Sequence, residues 1–240
     1  MAEKVIIVGA TSGLGRALAV ELHNRGYIVG ATGRRTERLD ELAEQLQERI
    51  FTCEMDVTKT DETFAQLDRL IKQMGGMDII VLNAGVSNFQ GSFDWPTEQN
   101  VVDVNIRGFT ALANRAFIYF KEQGHGHLIG ISSIAGLFGY GLSATHNASK
   151  AYVSNFLQGY RQRANHSGAN ITVTDLQPGF VESEMTEGKK GMFWVAKTPK
   201  AARQMADAIE KKWNHAYITK RWRLVAWAIK LIPNWIWNRL

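Results

Sequence analysis

An α/β architecture, a parallel sheet wound in both directions with helices on its two faces, is what this 240-residue chain predicts, on three observations. Apolar runs short enough for strands alternate in regular order with amphipathic runs long enough for helices. Most of the strand candidates are continuously apolar, as strands covered on both faces are. A glycine-rich turn joins the first strand to the first helix. Strands are expected at about 4–9, 27–32, 50–55, 77–83, 126–133, 170–177 and 215–219. Helices are expected at about 13–25, 35–48, 60–74, 99–123, 145–166 and 199–212. No repeat or linker interrupts the series, so one domain is expected over residues 1–219, with residues 220–240 as an aromatic-rich helical extension. On such sheets ligands bind beyond the carboxyl ends of the strands, where the winding reverses, so chemistry is expected just after each strand.

Composition bounds the function classes. Apolar residues make up 45% and charged residues 21%, the balance of a globular chain that buries its own core. The single cysteine, Cys53, has no disulfide partner and no cluster with which to hold a metal, so it reads as a buried apolar residue in a reducing compartment. Met1, Glu3 and Lys4 lead directly into the first strand without the apolar stretch of a signal peptide, and a cytoplasmic protein is expected. The net charge of +5 is spread along the chain except near its C-terminus, which reads as a solvated basic surface and not a nucleic-acid site.

The first strand, Val5-Ile6-Ile7-Val8, runs into Gly9-Ala10-Thr11-Ser12-Gly13-Leu14-Gly15 and then a helix beginning near Leu14. Glycine lets the backbone turn sharply and approach a ligand closely, while the free N–H groups and positive end of the following helix attract a pyrophosphate. Strand, turn and helix stand in the order that mechanism demands, which predicts a Rossmann domain binding a nicotinamide dinucleotide rather than a bare tight turn. The second strand ends in Thr32-Gly33-Arg34-Arg35. A carboxylate there would take the ribose 2′-hydroxyl of NAD, whereas an arginine fork clamps a 2′-phosphate, so NADP(H) is favoured over NAD(H) unless both arginines are simply solvated. Asp56, after the third strand, suits either the adenine amino group or a helix cap or turn.

With Gly9-x-x-x-Gly13-x-Gly15, Asp56-Val57, Asn83-Ala84-Gly85, Asn105, Ser133, Lys150 and Pro178-Gly179 in this order, the chain resembles the short-chain dehydrogenase/reductase family. The resemblance extends from residue 4 to about residue 219. It implies hydride transfer between an NAD(P)(H) nicotinamide and a carbonyl or alcohol, in a homodimer or homotetramer. It further implies that Asn83-Ala84-Gly85 supports the sheet beside the adenosine ribose, that Asn105 helps hold a proton-relay water, and that Ser133 hydrogen-bonds the substrate oxygen. Thr11, Ser12 and Leu14 fall to the cofactor turn, Val57 to the adenine side, and Val181 and Ser183 to the places of the carboxamide contacts.

One departure bears on catalysis. The family's acid/base pair is tyrosine and lysine at YxxxK, one helical turn apart. This chain reads Ala144-Thr145-His146-Asn147-Ala148-Ser149-Lys150, so His146 stands where the tyrosine belongs, and neither Tyr140 nor Tyr152 has a lysine at the required turn. Histidine can donate a proton near neutral pH. Imidazole nevertheless reaches roughly 2 Å less far than a phenol, and Lys150 opposes a cationic neighbour where it would favour a phenolate, so turnover is expected to be about 10²–10⁴-fold below a tyrosine version. An introduced substitution, a natural histidine enzyme and a catalytically weak cofactor-binding sensor or scaffold remain open.

Five of the seven tryptophans, Trp213, Trp222, Trp227, Trp235 and Trp237, lie in the last 28 residues among Lys220, Arg221, Arg223, Lys230 and Arg239. The apolar stretch Leu224 to Ile232 is too short to span a bilayer, and Pro233 breaks it. The tail is expected either to fold over the substrate cleft or a subunit contact, or to lie at a membrane interface as a peripheral contact. Both arrangements suit a hydrophobic substrate.

Overall fold

The structure, a computed structural model, describes residues 2–87, 94–184, 186, 191–237 and 239. Seven strands, β1 Lys4–Val8, β2 Ile28–Gly33, β3 Ile50–Glu54, β4 Ile79–Leu82, β5 His125–Ile131, β6 Asn170–Pro178 and β7 His215–Ile218, form one parallel sheet in the order β3-β2-β1-β4-β5-β6-β7. Each of the seven expected strands is present. Winding reverses between β1 and β4, which pair with Val5 beside Ile79 and Val8 beside Leu82.

Side-chain alternation along the central strands divides the core into two layers. Val5, Ile7, Val29, Ala31, Ile79 and Val81 face α1 (Gly13–Asn24), α2 (Thr36–Leu46) and α7 (Thr198–Glu210), meeting Leu18, Leu42 and Met205. Ile6, Val8, Ile80, Leu82 and Leu128 face the opposite way, toward α3 (Thr60–Met74), α5 (Phe109–Gln123) and α6 (Ala144–Asn165), meeting Leu70, Leu112 and Leu157. Continuous apolar runs in these strands are therefore the consequence of helices on both faces. The edge strand β3 is the exception, and Cys53 on it is half-buried instead of buried as expected, because no further strand covers that side.

Two boundaries differ from expectation in ways that place the site. The helix expected at 99–123 begins at Trp95, where Asp94 accepts from the Thr97 N–H at 3.0 Å and Pro96 suits the first turn. Its first stretch, α4 (Trp95–Val102), passes through a π-helical turn, Asp103–Gly108, before becoming α5. The residue that crowds this turn is Gly108, whose missing Cβ leaves room for the Val57 carbonyl and side chain. Strand β5 ends at Ile131, two residues before the expected end, and Ser133 caps the short 3-10 turn Ile134–Leu137, its Oγ accepting from the Ala135 N–H at 3.1 Å. No described helix is long and apolar enough to cross a membrane.

Candidate active site

The turn after β1 is shaped by what glycine alone permits. Gly9 and Gly13 have φ of 87° and 54°. A Cβ on Gly9 would lie 2.7 Å from the Ala84 backbone, and one on Gly15 would collide with the Gly9 carbonyl oxygen and Asn83 Nδ2. Asn83 Nδ2 in turn donates to the Gly9 carbonyl at 2.6 Å, so the Asn83-Ala84-Gly85 segment after β4 is the wall against which the glycine turn folds. Helix α1 starts at Gly13, has no carboxylate in its first turn and receives no side-chain cap from Ser12. Its positive end is left for an anion, and the residues present fit a pyrophosphate.

Arg35 extends across this turn: it donates to Thr11 Oγ1 at 3.0 Å, to Ser12 Oγ at 2.6 Å and to the Glu184 carboxylate at 2.9 Å. The Arg35 bond and charge hold the exposed Glu184 carboxyl below its ordinary value. Arg34 is exposed at the mouth of β2. Asp56 caps its own turn, accepting from the Thr58 N–H at 3.0 Å and the Thr58 hydroxyl at 2.8 Å. Partial burial raises the Asp56 carboxyl, but those two hydrogen bonds and the nearby Arg34 bring it below its ordinary value.

Across the switch point, three of the four catalytic candidates, Asn105, His146 and Lys150, lie in one buried cluster. The π-helical turn delivers Asn105, which is 2% exposed, to the backbone just beyond β4: its Oδ1 accepts from the Val86 N–H and its Nδ2 donates to the Val86 carbonyl, both at 2.9 Å. That same carbonyl lies 3.0 Å from His146 Nδ1 on the first turn of α6. A carbonyl oxygen only accepts, so Nδ1 carries the hydrogen and, in the neutral ring, Nε2 is the acceptor nitrogen. Ser149 Oγ accepts from Asn105 Nδ2 at 2.9 Å and donates to the His146 carbonyl at 2.7 Å, tying helix to helix. Lys150, one turn after His146, donates to the Ile131 carbonyl at 3.0 Å, and burial pushes its ammonium down to about 8 although Asp175 acts in the opposite sense. A Cβ on Gly85 would lie 3.4 Å from both Asn105 Oδ1 and Lys150 Nζ, so the third residue of that segment faces the cluster as well.

Ser133 Oγ donates to the Pro178 carbonyl at 3.3 Å, which ties the end of β5 to the end of β6. Its neighbour Ser132 points away into a buried network, donating to Asp175, to which Gln177 Nε2 also donates at 3.0 Å. Val181 bridges to Ala196, and Ser183 Cβ stands 3.4 Å from the place a Gly13 Cβ would take, so the loop after β6 returns to the glycine turn. Tyr152 hydrogen-bonds Thr110 at 2.7 Å and Tyr140 lies 45% exposed in the segment before α6. A separate recess of about 610 Å³ between α1 and α7 is lined by Gly13 and Ser183 but by none of Asn105, Ser133, His146 or Lys150.

The tail closes the same end of the sheet. Helix α8 (Trp222–Leu231) buries Trp222 against Gly179, where any Cβ would enter the indole ring, and against Phe180 and Phe193. The following turn, α9 (Asn234–Trp237), places the Trp237 ring 4.7 Å from that of Phe138, and its indole N–H donates to the Gly139 carbonyl at 2.7 Å. Sequence reasoning missed Glu184 and the Val86 carbonyl, which carry no local signal because their partners lie far away in the chain. It also missed Ser149, for which the adjacency to Lys150 was a usable clue.

A nucleotide turn at the switch point of a parallel sheet, facing a lysine, serine and asparagine cluster, defines a dinucleotide-dependent oxidoreductase. The short chain dehydrogenase family model matches residues 3–192, and the chain belongs to that family, as an NAD(P)-dependent dehydrogenase/reductase. A protein of Myxococcus xanthus described as an uncharacterized oxidoreductase is 34% identical over 237 residues, covering 95% of this chain and 92% of the relative. Among solved structures, the 3-ketoacyl-(acyl-carrier-protein) reductase of Brucella melitensis complexed with NADH is 21% identical. The match has a TM-score of 0.81 and covers 90% of this chain and 95% of the reductase. A short-chain dehydrogenase from Sphingobium yanoikuyae in complex with NADPH also gives 0.81 at 21% identity, covering 97% of both chains. These two likenesses establish the fold.

Proposed function

We propose that this chain transfers hydride between NADP(H) and the carbonyl or alcohol of a small hydrophobic substrate, with His146 in the acid/base position. The observation that carries the reading is the cluster in which Asn105 and His146 meet at the Val86 carbonyl, Ser149 bridges Asn105 to the His146 carbonyl, and Lys150 is held on the Ile131 carbonyl. Gly9, Gly13, Gly15, Thr11, Ser12 and Leu14 would hold the pyrophosphate, Asp56 and Val57 the adenine side, and Pro178, Gly179, Val181 and Ser183 the carboxamide side. Bound there, the dinucleotide supplies hydride chemistry. Ser133 orients the substrate oxygen, Lys150 holds the nicotinamide ribose, and the imidazolium of His146 gives its proton to the oxygen that becomes the alcohol. The indole-lined end formed by Trp222 and Trp237 supports a hydrophobic substrate, and the family supports a homodimer or homotetramer.

The 2′-phosphate preference rests on Arg34 and Arg35. An arginine–phosphate hydrogen bond contributes about 1.5–3 kcal/mol. Because Arg35 also braces Thr11 and Ser12 of the pyrophosphate turn, the exposed Arg34 is the one to replace: Arg34→Ala is expected to weaken NADPH binding by at least about tenfold and leave NADH binding within about twofold. Fluorescence titration with each dinucleotide checks this, and parallel losses for both would place Arg34 outside the phosphate site.

A second reading is favoured by one observation, the His146 Nδ1 contact with the Val86 carbonyl, which leaves a lone pair on Nε2 in the neutral ring. On that reading the chain is a catalytically weak NADP(H)-binding sensor or scaffold. Steady-state assays with NADPH and a panel of aldehydes and ketones on this chain and on His146→Tyr decide between them. Negligible rates in both would sink the enzyme reading.

A further inference from the structure

The inward side of α8 is fully accounted for: Trp222 and Ala226 are buried, and Val225 and Ile229 pack with them against Ile134, Leu137 and Phe180. The outward side is apolar as well. Leu224, Trp227 and Leu231, spaced by three and four residues and so on one face of the helix, are 59%, 54% and 82% exposed, and Trp235 on α9 is 64% exposed. A globular surface rarely presents this many large apolar side chains within twelve residues without a use for them.

The charge around the stripe indicates what covers it. From Lys211 to the end the chain has seven Lys and Arg residues and no Asp or Glu. Arg223 lies over the Trp227 ring at 5.1 Å, Arg239 over Trp235 at 5.9 Å and Arg221 over Trp194 at 5.4 Å, so each of these indoles carries a guanidinium on its face. Indole rings paired with guanidinium groups suit the headgroup level of a bilayer, with the leucines at the acyl boundary and the cations within reach of lipid phosphates and carboxylates. A protein partner with an apolar groove has no need of a fringe of one sign, whereas anionic lipid matches that fringe directly.

We propose that the outward face of α8 and α9 docks this protein on an anionic membrane surface, through Leu224, Trp227, Leu231 and Trp235 with Arg223, Lys230 and Arg239 on the lipid headgroups. The docked face lies beside the mouth of the site: Trp237, at the end of the same tail, is bonded to Gly139, and Tyr140 and Leu142 are exposed in that segment just before His146. The docking rests on the tail alone and stands apart from the cofactor and proton chemistry.

Co-sedimentation of the full chain with phosphatidylcholine vesicles, with and without phosphatidylserine, tests it. The chain is expected to sediment with phosphatidylserine vesicles, to be released by high salt, and to stay in the supernatant with phosphatidylcholine alone. Trp227→Glu combined with Leu231→Glu is expected to lower partitioning by at least about tenfold, since each apolar side chain withdrawn from the acyl boundary counts for that much. Arg223→Gln with Lys230→Gln is expected to reduce the salt-sensitive part, and both double variants should keep NADPH binding, because these side chains are exposed and none is among the residues assigned to the dinucleotide. A chain that remains in the supernatant with phosphatidylserine, or that binds both vesicle types equally, overturns the proposal. So does a soluble assembly that the Trp227→Glu, Leu231→Glu variant dissociates, which would make the face a contact between copies.

Discussion

Replacing His146 by tyrosine is expected to raise turnover of a hydrophobic aldehyde or ketone with NADPH by about 10²–10⁴-fold, the usual worth of a positioned acid/base. The reason lies at the Val86 carbonyl. Held there through Nδ1, the neutral imidazole has no second N–H to give, so the ring delivers a proton only as the imidazolium. A phenol carries its transferable proton in the neutral state, extends roughly 2 Å farther, and gains from Lys150 one turn away because a cation favours the phenolate. Lys150, Ser133, Asn105 and the glycine turn all lie at the same end of the sheet as residue 146, so the single change is expected to complete the set. A change below about tenfold, with carbonyl substrates turned over by neither protein, would mean that something other than residue 146 limits the chemistry.

Lys150→Met, made in the His146→Tyr background so that the loss is measurable, is expected to lower kcat/KM by about 10²–10³-fold, the scale seen when one preorganised donor is removed from an active site. Stability should move the other way. The Lys150 ammonium is buried and pushed from 10.5 to about 8, which corresponds to roughly 3 kcal/mol of burial penalty. Because its folded value lies below the unfolded one, the native state binds fewer protons between about pH 8 and 10.5, and this group makes stability rise with pH in that window. Below about pH 8 both states are protonated and the full penalty applies. A methionine side chain in its place has no charge to bury, so the variant is expected to unfold at equal or higher denaturant near pH 7 and to lose that rise. Denaturant midpoints at pH 7 and pH 10 for the two proteins check the stability half, and a variant that is both inactive and destabilised at pH 7 would assign Lys150 a structural role.

The strand and helix series was legible because it depends on local periodicity, and the glycine turn because its residues are consecutive. Continuous apolar runs such as Val5-Ile6-Ile7-Val8 report burial on two faces whatever the partners are. What was not legible depended on contacts between distant residues. Nothing near Asn105 announces a π-helical turn; it is visible only once Gly108 meets Val57 and Asn105 reaches Val86. The helix start at Trp95 was missed because its cap, Asp94, precedes an apolar residue and a proline without a clear periodic run behind them. Cys53 was read as buried from residue type, whereas its exposure follows from β3 being the last strand of the sheet, a property of topology and not of the local sequence. Arg35 was singled out for the end of β2, but the Glu184 that holds it comes from the loop after β6.

The tail shows the same division. Its five tryptophans stood out at once, while the assignment of Trp222 and Trp237 to the inside and of Trp227 and Trp235 to the outside needed the packing on Gly179 and Gly139. One set of indoles is folded over the end of the sheet, and the other faces outward.

Titration of the unaltered chain and of Gly15→Val with NADPH and NADH tests whether the turn from Gly9 to Gly15 holds the pyrophosphate of a 2′-phosphorylated nicotinamide dinucleotide. Saturable binding of both dinucleotides to the unaltered chain is expected, tighter for NADPH, with loss of both in Gly15→Val, where the added side chain would displace the Gly9 carbonyl and Asn83. An unaltered chain that saturates with neither dinucleotide or binds NADH the tighter, or a Gly15→Val variant that titrates like it, would overturn that assignment.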